Sequence, residues 1–143
     1  MPESLPAAGP YVMAALLCQH VDRRPEGSTD ILGVIDGLVV APTDTESDPL
    51  GVRPMALLPL RALIILRAGQ ERGWHTLGLQ GIFPGGQPGP AMRTRIEFTD
   101  ERPGATVNVP VELEVHHEGM YAFEVTYDGR ILTRMSLQVV VGA

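Results

Sequence analysis

Apolar and polar residues alternate strictly along the last third of the chain, from Val107 to Val141. The apolar residues at odd-numbered positions are Val107, Val109, Val111, Leu113 and Val115, then Tyr121, Phe123 and Val125, then Ile131, Met135, Leu137, Val139 and Val141. Side chains of a strand point alternately to its two faces, so this pattern predicts three half-buried strands that share one interior.

Earlier segments also predict strands. Tyr11–Val21 is apolar on both faces and would suit a strand or a helix; we favour a strand because a turn of hairpin type, 23–28, and a second apolar run, 31–35, follow it. Asp36-Gly37 interrupts that run, and we expect a bulge there. Further predicted strands are Leu57–Arg67, which is apolar enough to be central, Trp74–Phe83 and Met92–Thr99.

Turn signals every 8 to 15 residues separate these segments, and no amphipathic helix is evident. This spacing predicts an all-β fold, an antiparallel immunoglobulin-like β-sandwich of about seven to eight strands. We expect residues 1–10 to form a flexible N-terminal arm and residues 11–143 a single sandwich domain.

The Asp128-Gly129 dipeptide favours a two-residue type I′ hairpin turn. That turn would place Val125 opposite Leu132 and move Ile131 to the other face. A three-residue loop, 127–129, with Gly129 as a bulge keeps Val125 opposite Ile131 and Phe123 opposite Thr133. Burial of one large apolar side chain is worth about 1.5–3 kcal/mol, so we expect packing to select the longer loop.

The segment from Glu118 to Phe123 contains glycine, then tyrosine two residues later, at the start of a strand. This arrangement resembles the tyrosine corner of immunoglobulin-like sandwiches, in which the phenol bonds a backbone group where the chain crosses between sheets. It predicts that 107–115 lies in one sheet and that 121–127 and 130–141 lie in the other. The alternative is a plain hairpin with Gly119 as a bulge.

Composition excludes several classes of function. The net charge of −6 argues against a nucleic-acid binder and against docking on anionic lipid. All eleven basic residues are arginine, so lysine chemistry is impossible. A single cysteine allows no intramolecular disulfide, and neither a secretory signal nor a spanning segment is evident. We therefore expect a cytoplasmic protein.

Candidate catalytic and metal-binding residues are few, and we expect no catalytic, cofactor or metal site. His116 and His117 are neighbours and point to opposite faces, while His20 and His75 are isolated in the sequence. A metal site at His116 with Glu114 or Glu118 would match no zinc spacing. We expect Cys18 to be a small buried hydrophobe, and no serine lies in a nucleophile motif.

Arg93, Arg95 and Glu97 form an outward charged stripe. If 92–99 pairs with 107–115, Arg93 falls opposite Glu112 in a cross-strand ion pair, and an anion-binding patch is the alternative. Trp74 lies on the opposite face from Leu77; it is either an exposed contact for a partner or, as we expect, buried under a neighbouring loop.

The chain also resembles a bacterial family of small β-sandwich proteins of unknown function. The residues that carry the resemblance are 16–18, 31–36 and the stretch from Gly119-Met120-Tyr121 through Tyr127-Asp128-Gly129-Arg130 to Leu137. The resemblance covers most of the chain and implies the sandwich fold. It implies no activity, and the Pro42–Pro54 loop is longer than the family pattern predicts.

Two hypotheses about function follow. The first is a non-enzymatic protein-interaction or assembly module, most simply a homodimer, because 11–21 and 57–66 are apolar on both faces and one sandwich cannot bury both. The second is a small-ligand-binding protein or enzyme with a site in the loops near residues 41–54 and 84–90, using Asp44, Glu46 and Asp48.

Overall fold

A computed structural model describes residues 9–41 and 55–142, and in these residues it contains strands and no helix. The nine strands are β1 (Tyr11–Arg23), β2 (Thr29–Val34), β3 (Gly37–Val40), β4 (Ala56–Arg67), β5 (Gly73–Ile82), β6 (Pro88–Phe98), β7 (Gly104–Val115), β8 (Gly119–Tyr127) and β9 (Arg130–Val141). Residues 1–8 of the predicted N-terminal arm and residues 42–54 of the predicted 41–54 loop lie outside the described residues, whereas Pro10 of the predicted arm is buried.

The strands form two sheets that face each other as a β-sandwich. Sheet A has the order β2-β1-β4-β7 and sheet B the order β3-β9-β8-β5-β6. The predicted all-β sandwich and the central position of β4 are therefore confirmed. All pairs are antiparallel except β3 with β9, which is parallel.

The interior between the sheets holds the side chains that the alternation assigned to it. Leu113, Phe123 and Leu137 are 3%, 4% and 0% exposed, whereas Glu112, the neighbour of Leu113 in the chain, is exposed. Leu17, Ile64 and Phe98 from the other strands join the same cluster. The prediction of one shared dry interior is thus confirmed.

The Asp36-Gly37 interruption is a crossing between sheets, so the predicted bulge is wrong. β2 ends at Val34 in sheet A and β3 begins at Gly37 in sheet B. The buried Ile35 donates its N–H to the Leu17 carbonyl of β1, and the Asp36 carbonyl accepts from Gln138 of β9. The adjacent residues Ile35 and Asp36 thus bond to different sheets. This crossing allows β3 to pair with β9 in sheet B, whereas a bulge would have kept the whole run in sheet A.

The turn between β8 and β9 satisfies both local and packing preferences, and the predicted three-residue loop is wrong. Asp128 and Gly129 have φ of 49° and 86°, and Tyr127 pairs with Arg130, as a two-residue type I′ turn requires. The register then shifts by one residue at Leu132, so that Val125 pairs with Thr133. This bulge returns Met135 and Leu137 to the interior.

Ile131 is the residue that this solution displaces. It pairs with the outward-facing Thr126 and is 58% exposed, in contrast to the interior position that we expected. Leu132, the extra residue of the bulge, packs against the core instead. A bulge that absorbs the register shift was therefore preferred over a longer loop.

The tyrosine corner is present at Tyr121. Its hydroxyl donates to the carbonyl of His117 at 2.6 Å and accepts from the N–H groups of His116 and His117 at 3.2 and 3.4 Å. The ring is 1% exposed, and β7 lies in sheet A while β8 lies in sheet B. The phenol therefore satisfies backbone groups at the crossing from one sheet to the other, as predicted.

Two expectations about β6 are wrong. β6 pairs with β5 and does not pair with β7, so Arg93 lies opposite Gly78 rather than Glu112. The strand also begins at Pro88, which shortens the predicted 84–90 loop to a tight turn closed by Phe83 N–H to Gln87 C=O. Alternation showed which face is apolar but could not show which neighbour a strand has.

The tyrosine corner yields a stability prediction. We expect Tyr121→Phe to lower the free energy of unfolding by about 1–3 kcal/mol, because it removes the hydroxyl that bonds part-buried backbone groups of residues 116 and 117. Urea unfolding measures this change. Tyr11→Phe is the matched control, since Tyr11 is 39% exposed and should change stability by less than about 0.5 kcal/mol. Equal effects of the two substitutions would contradict the role assigned to the corner.

Candidate functional site

An open cleft lies between the edges of the two sheets. β6 is an edge strand of sheet B and β7 an edge strand of sheet A, and within the described residues neither has a partner on its outer side. The cleft between them has a volume of about 840 Å³. Residues 94–97 of β6, the start of β7 and the end of β4 line it.

Four arginines line this cleft: Arg23, Arg67, Arg95 and Arg102. Glu97 is the acidic residue among the lining residues that the structure describes. The whole chain carries a net charge of −6, so a group of four arginines beside one carboxylate is a local reversal of its charge. We call this feature the arginine cleft.

Local structure positions each arginine. Arg67 ends β4 opposite Gly104, and its side chain lies across that glycine, since a Cβ there would be 3.5 Å from Arg67 Nη1. Arg95 projects from β6, and its guanidinium carbon lies 5.0 Å from the centre of the Trp74 ring. Arg102 belongs to the turn between β6 and β7, where its N–H bonds the Thr99 side chain at 2.9 Å.

The arginines of the cleft have no carboxylate within ion-pair distance in the described part of the chain. The arginine ion pairs found there join Arg24 to Asp30, Arg72 to Asp100 and Arg134 to Glu124. Guanidinium groups with no ion-pair partner among residues 9–41 and 55–142 can each donate several hydrogen bonds to carboxylates or phosphates. Chemically, the cleft is suited to hold an anionic group.

A second polar cluster lies at the same end of the sandwich, around His75. Its Nδ1 lies 2.7 Å from Asp128 Oδ2 and its Nε2 lies 2.9 Å from the Arg72 carbonyl oxygen. The ring stacks on Tyr127 at 4.8 Å, and the Tyr127 hydroxyl donates to Glu71 Oε1 at 2.8 Å. Both partners of the imidazole are acceptors, so the protonated ring satisfies both with its two N–H groups.

Burial, hydrogen bonds and charges in this cluster shift the pKa of its members. Burial alone would lower the pKa of His75, but the hydrogen bonds to Asp128 and to the Arg72 carbonyl, with the charges of Asp128 and Glu71, raise it. The pKa of Asp128 is lowered, first by the Thr76 N–H that it accepts and then by His75. Burial, and then the bond to Glu71, raise the pKa of Tyr127.

The cluster holds loops together rather than presenting a reactive group. Asp128 accepts the Thr76 N–H at 2.9 Å and returns its own N–H to the Thr76 carbonyl at 2.8 Å, which fastens the β8–β9 turn to β5. The nearby Ala68 N–H donates to Pro103 C=O at 2.7 Å. These bonds fix the end of the sandwich that carries Arg67 and Arg102.

The other histidines lie apart from these sites. His20 contacts Asp22 at 2.9 Å on the surface, and His116 lies 3.4 Å from Glu114 beside the tyrosine corner. His117 is exposed. No group of three or more histidine, cysteine, aspartate or glutamate side chains that could hold a metal ion occurs in residues 9–41 and 55–142.

Cys18 and Trp74 have contrasting environments. Cys18 is fully buried, as predicted, and burial raises the pKa of its thiol. Trp74 is 56% exposed, so the expected burial under a loop is wrong. The ring is instead covered on one face by Arg95 at the margin of the arginine cleft.

The outer face of sheet A carries the second apolar surface that the sequence predicts. Leu32, Val34 and Leu57 are each more than half exposed, and the registers place all three on the side opposite to the core.

The homodimer that we expect from this face stays a prediction. Light scattering at high protein concentration tests it, and a strict monomer would contradict it.

The described residues include no helix of the length and apolar character needed to cross a membrane. The 41–54 half of the predicted loop site lies outside the described residues, apart from Ala41. Its 84–90 half is the β5–β6 turn and the start of β6.

Comparisons with known proteins place the chain in a family. The model of DUF6941, a family of unknown function, matches residues 13–140. The chain belongs to this family. No curated protein sequence matches the chain. Membership of DUF6941 agrees with the resemblance noted from the sequence and assigns no activity.

Solved structures with similar folds have little sequence in common with this DUF6941 member. One is the Pseudomonas fluorescens alkylpurine DNA glycosylase AlkC bound to DNA, with 10% identity and a TM-score of 0.48; the match covers 92% of this chain and 30% of the glycosylase. Another is an immunoglobulin-like protein, PA1606, from Pseudomonas aeruginosa, with 12% identity, a TM-score of 0.42 and coverage of 93% and 98%.

The sequence singles out one residue of each site, Arg95 and His75, but does not show which distant residues lie beside them. Arg95 was singled out as part of a possible anion-binding patch, whereas Arg67 and Arg102 were not, because they lie 28 and 7 residues away in the chain. His75 was treated as isolated, although its partner Asp128 is 53 residues distant. The Tyr127-Asp128-Gly129-Arg130 stretch, which the sequence analysis uses for the hairpin turn and the family resemblance, also supplies Tyr127 and Asp128 of the His75 cluster.

The His75–Asp128 pair predicts a pH dependence of stability. The raised pKa of His75 gives stability that is fully present below about pH 6.5, the ordinary histidine value, and is lost as pH rises through the folded-state pKa. The lowered pKa of Asp128 gives stability that is present above about pH 3.9 and is lost as pH falls through the folded-state pKa. The contribution of the pair is therefore greatest between about pH 4 and 6.5.

Asp128→Asn tests this dependence. Asparagine accepts the left-handed backbone and can still accept the Thr76 N–H, but it carries no charge. We expect the stability difference between the wild type and the variant to be largest in the stated window and to shrink above it. Urea midpoints over a pH series measure this, with Asp22→Asn at the exposed His20 pair as control. Parallel profiles for the wild type and Asp128→Asn would contradict the prediction.

Proposed function

We propose that this protein is a non-enzymatic interaction module that binds an anionic protein segment in the arginine cleft. The observation that carries the proposal is the group of four arginines that line one 840 Å³ cleft without a carboxylate partner in the described residues. A carboxylate-rich partner would give each guanidinium a bidentate acceptor, which residues 9–41 and 55–142 do not supply.

The character of the surroundings supports a protein partner. Trp74 is exposed at the margin of the cleft, and tryptophan and arginine are the residues most enriched at the energetic centres of protein interfaces. The net charge of −6 makes a long polyanion such as nucleic acid a poor partner, because the rest of the surface would repel it. A short acidic segment would feel mainly the local positive charge, since salt screens charges beyond about 8–10 Å.

The absence of an enzymatic role is part of the proposal and rests on the chemistry of the groups present. His75 has both ring nitrogens engaged, Cys18 is buried with a raised pKa, and the cleft contains guanidinium groups, which do not act as bases at neutral pH. Charge recognition accounts for such a set better than proton transfer does.

A labelled peptide tests the proposal. The probe is an acetylated, amidated peptide of about six residues, the length of an average strand, in which glutamate and valine alternate. We expect it to bind and expect Arg67→Gln, Arg95→Gln and Arg102→Gln each to weaken binding about tenfold, which corresponds to about 1.4 kcal/mol and is typical of a lost charged hydrogen bond. Fluorescence anisotropy measures the affinity.

Arg93→Gln is the matched control, because Arg93 projects from the same strand as Arg95 but does not line the arginine cleft. It should bind like the wild type. Added salt should weaken wild-type binding, and a peptide with lysine in place of glutamate should not bind. The proposal would be wrong if the acidic peptide did not bind, or if Arg93→Gln reduced affinity as much as the three cleft variants.

A further inference from the structure

Among the strands that the structure describes, none pairs with the outer edge of β7, and this edge runs along the arginine cleft from Gly104 to Val109. An edge strand presents backbone N–H and C=O groups that can pair with another chain. Natural sheets usually protect such edges with proline, charge or brevity. Pairing with another chain therefore depends on which backbone groups of β7 point into the cleft.

Two prolines show which backbone groups of β7 point away from β4. Proline has no N–H and is accommodated in a sheet where its nitrogen points away from the neighbouring strand. In the β4–β7 pair, Pro59 lies opposite Glu112 and Pro110 lies opposite Arg61. In both pairs the β4 residue is odd-numbered and the β7 residue is even-numbered, so both are non-hydrogen-bonded pairs. The even-numbered residues of β7 therefore direct their N–H and C=O away from β4.

The hydrogen bond next to this ladder agrees with the assignment. Ala68, an even-numbered residue directly after β4, donates to the carbonyl of the odd-numbered Pro103, directly before β7. Thr106 and Asn108 therefore direct their backbone groups toward the free edge. Pro110 can offer only its carbonyl there, which ends the usable edge.

We infer that the partner segment binds as an added β-strand along Gly104–Val109 of β7, with Pro110 as the limit; this inference rests on the proposed function. β-strand addition supplies affinity through backbone hydrogen bonds and specificity through alternate side chains. The other edges are less suitable: β6 carries Pro88 and Pro90, β3 has four residues, and β2 has six residues and contains Gly33 with φ of 68°.

The two faces of β7 define the chemistry of this partner. Its odd-numbered residues Ala105, Val107 and Val109 are partly buried and pack against the core, so they continue the apolar interior to the margin of the cleft. Its even-numbered residues face the opposite side of the strand, where the Arg67 side chain lies across Gly104. The fitting occupant is an extended peptide that alternates aliphatic residues, on the face of Val107 and Val109, with acidic residues, on the face of Arg67.

Thr106→Pro separates strand addition from charge recognition. The substitution removes an N–H that points away from β4, as Pro110 already does, so the β4–β7 ladder is retained. We expect it to weaken binding of the glutamate–valine peptide at least tenfold. Thr106→Val, which keeps the N–H, is the matched control and should bind like the wild type. Circular dichroism of both variants confirms that each is folded.

A modified peptide gives the same test without altering the protein. N-methylation of alternate backbone nitrogens keeps every charge and removes the donors of a strand, and we expect one of the two possible methylation registers to weaken binding at least tenfold. Hydrogen exchange should show new protection of the amides of Thr106 and Asn108 when the unmodified peptide is bound.

The outcomes distinguish the inference from the proposed function. If Thr106→Pro and both methylated peptides bind normally while Arg67→Gln weakens binding, the cleft recognises charge and strand addition is wrong. If Thr106→Pro and Thr106→Val weaken binding equally, the threonine side chain accounts for the effect and the inference is also wrong. If the acidic peptide does not bind the wild type, the proposed function itself is wrong.

Discussion

The structure depends on the burial of alternate side chains from two sheets in one common interior. Each strand contributes every second side chain, so a shift of one residue would expose its whole apolar set. With about 1.5–3 kcal/mol at stake for each large side chain, register is tightly constrained wherever one face is buried. The remaining features of the fold are adjustments that keep this interior intact.

The β8–β9 hairpin illustrates such an adjustment. Asp128-Gly129 has a strong local preference for a two-residue turn, and that turn alone would have placed Phe123 opposite Arg134. The chain keeps the turn and inserts Leu132 as a bulge, so that Phe123 pairs with Met135. Local and long-range preferences that conflict on paper are thus reconciled by one extra residue, and the cost is the exposure of Ile131.

The candidate site follows from where the two sheets end. A sandwich leaves open sides at which edge strands of different sheets lie close without pairing, and here β6 and β7 do so. The loops at one end are fastened by Asp128, by the His75 ring and by the bond from Ala68 to Pro103, which fixes the frame for Arg67 and Arg102. These bonds hold the backbone that carries Arg67 and Arg102, whereas their side chains have no ion-pair partner in the described residues.

The sequence by itself determined the buried face of most strands, the presence and approximate limits of those strands, and the tyrosine corner, because each of these depends on residues close together in the chain. Period-two alternation is a local property, and so is the spacing of Gly119 and Tyr121. Only the tertiary structure decided which strands are neighbours, where the chain crosses at Asp36, and which distant residues meet. Strand order within sheet B brings His75 to Asp128, and the packing of sheet A on sheet B lets Arg67 and Arg95 line one cleft. Both arrangements are set by the packing of the whole interior rather than by any one segment.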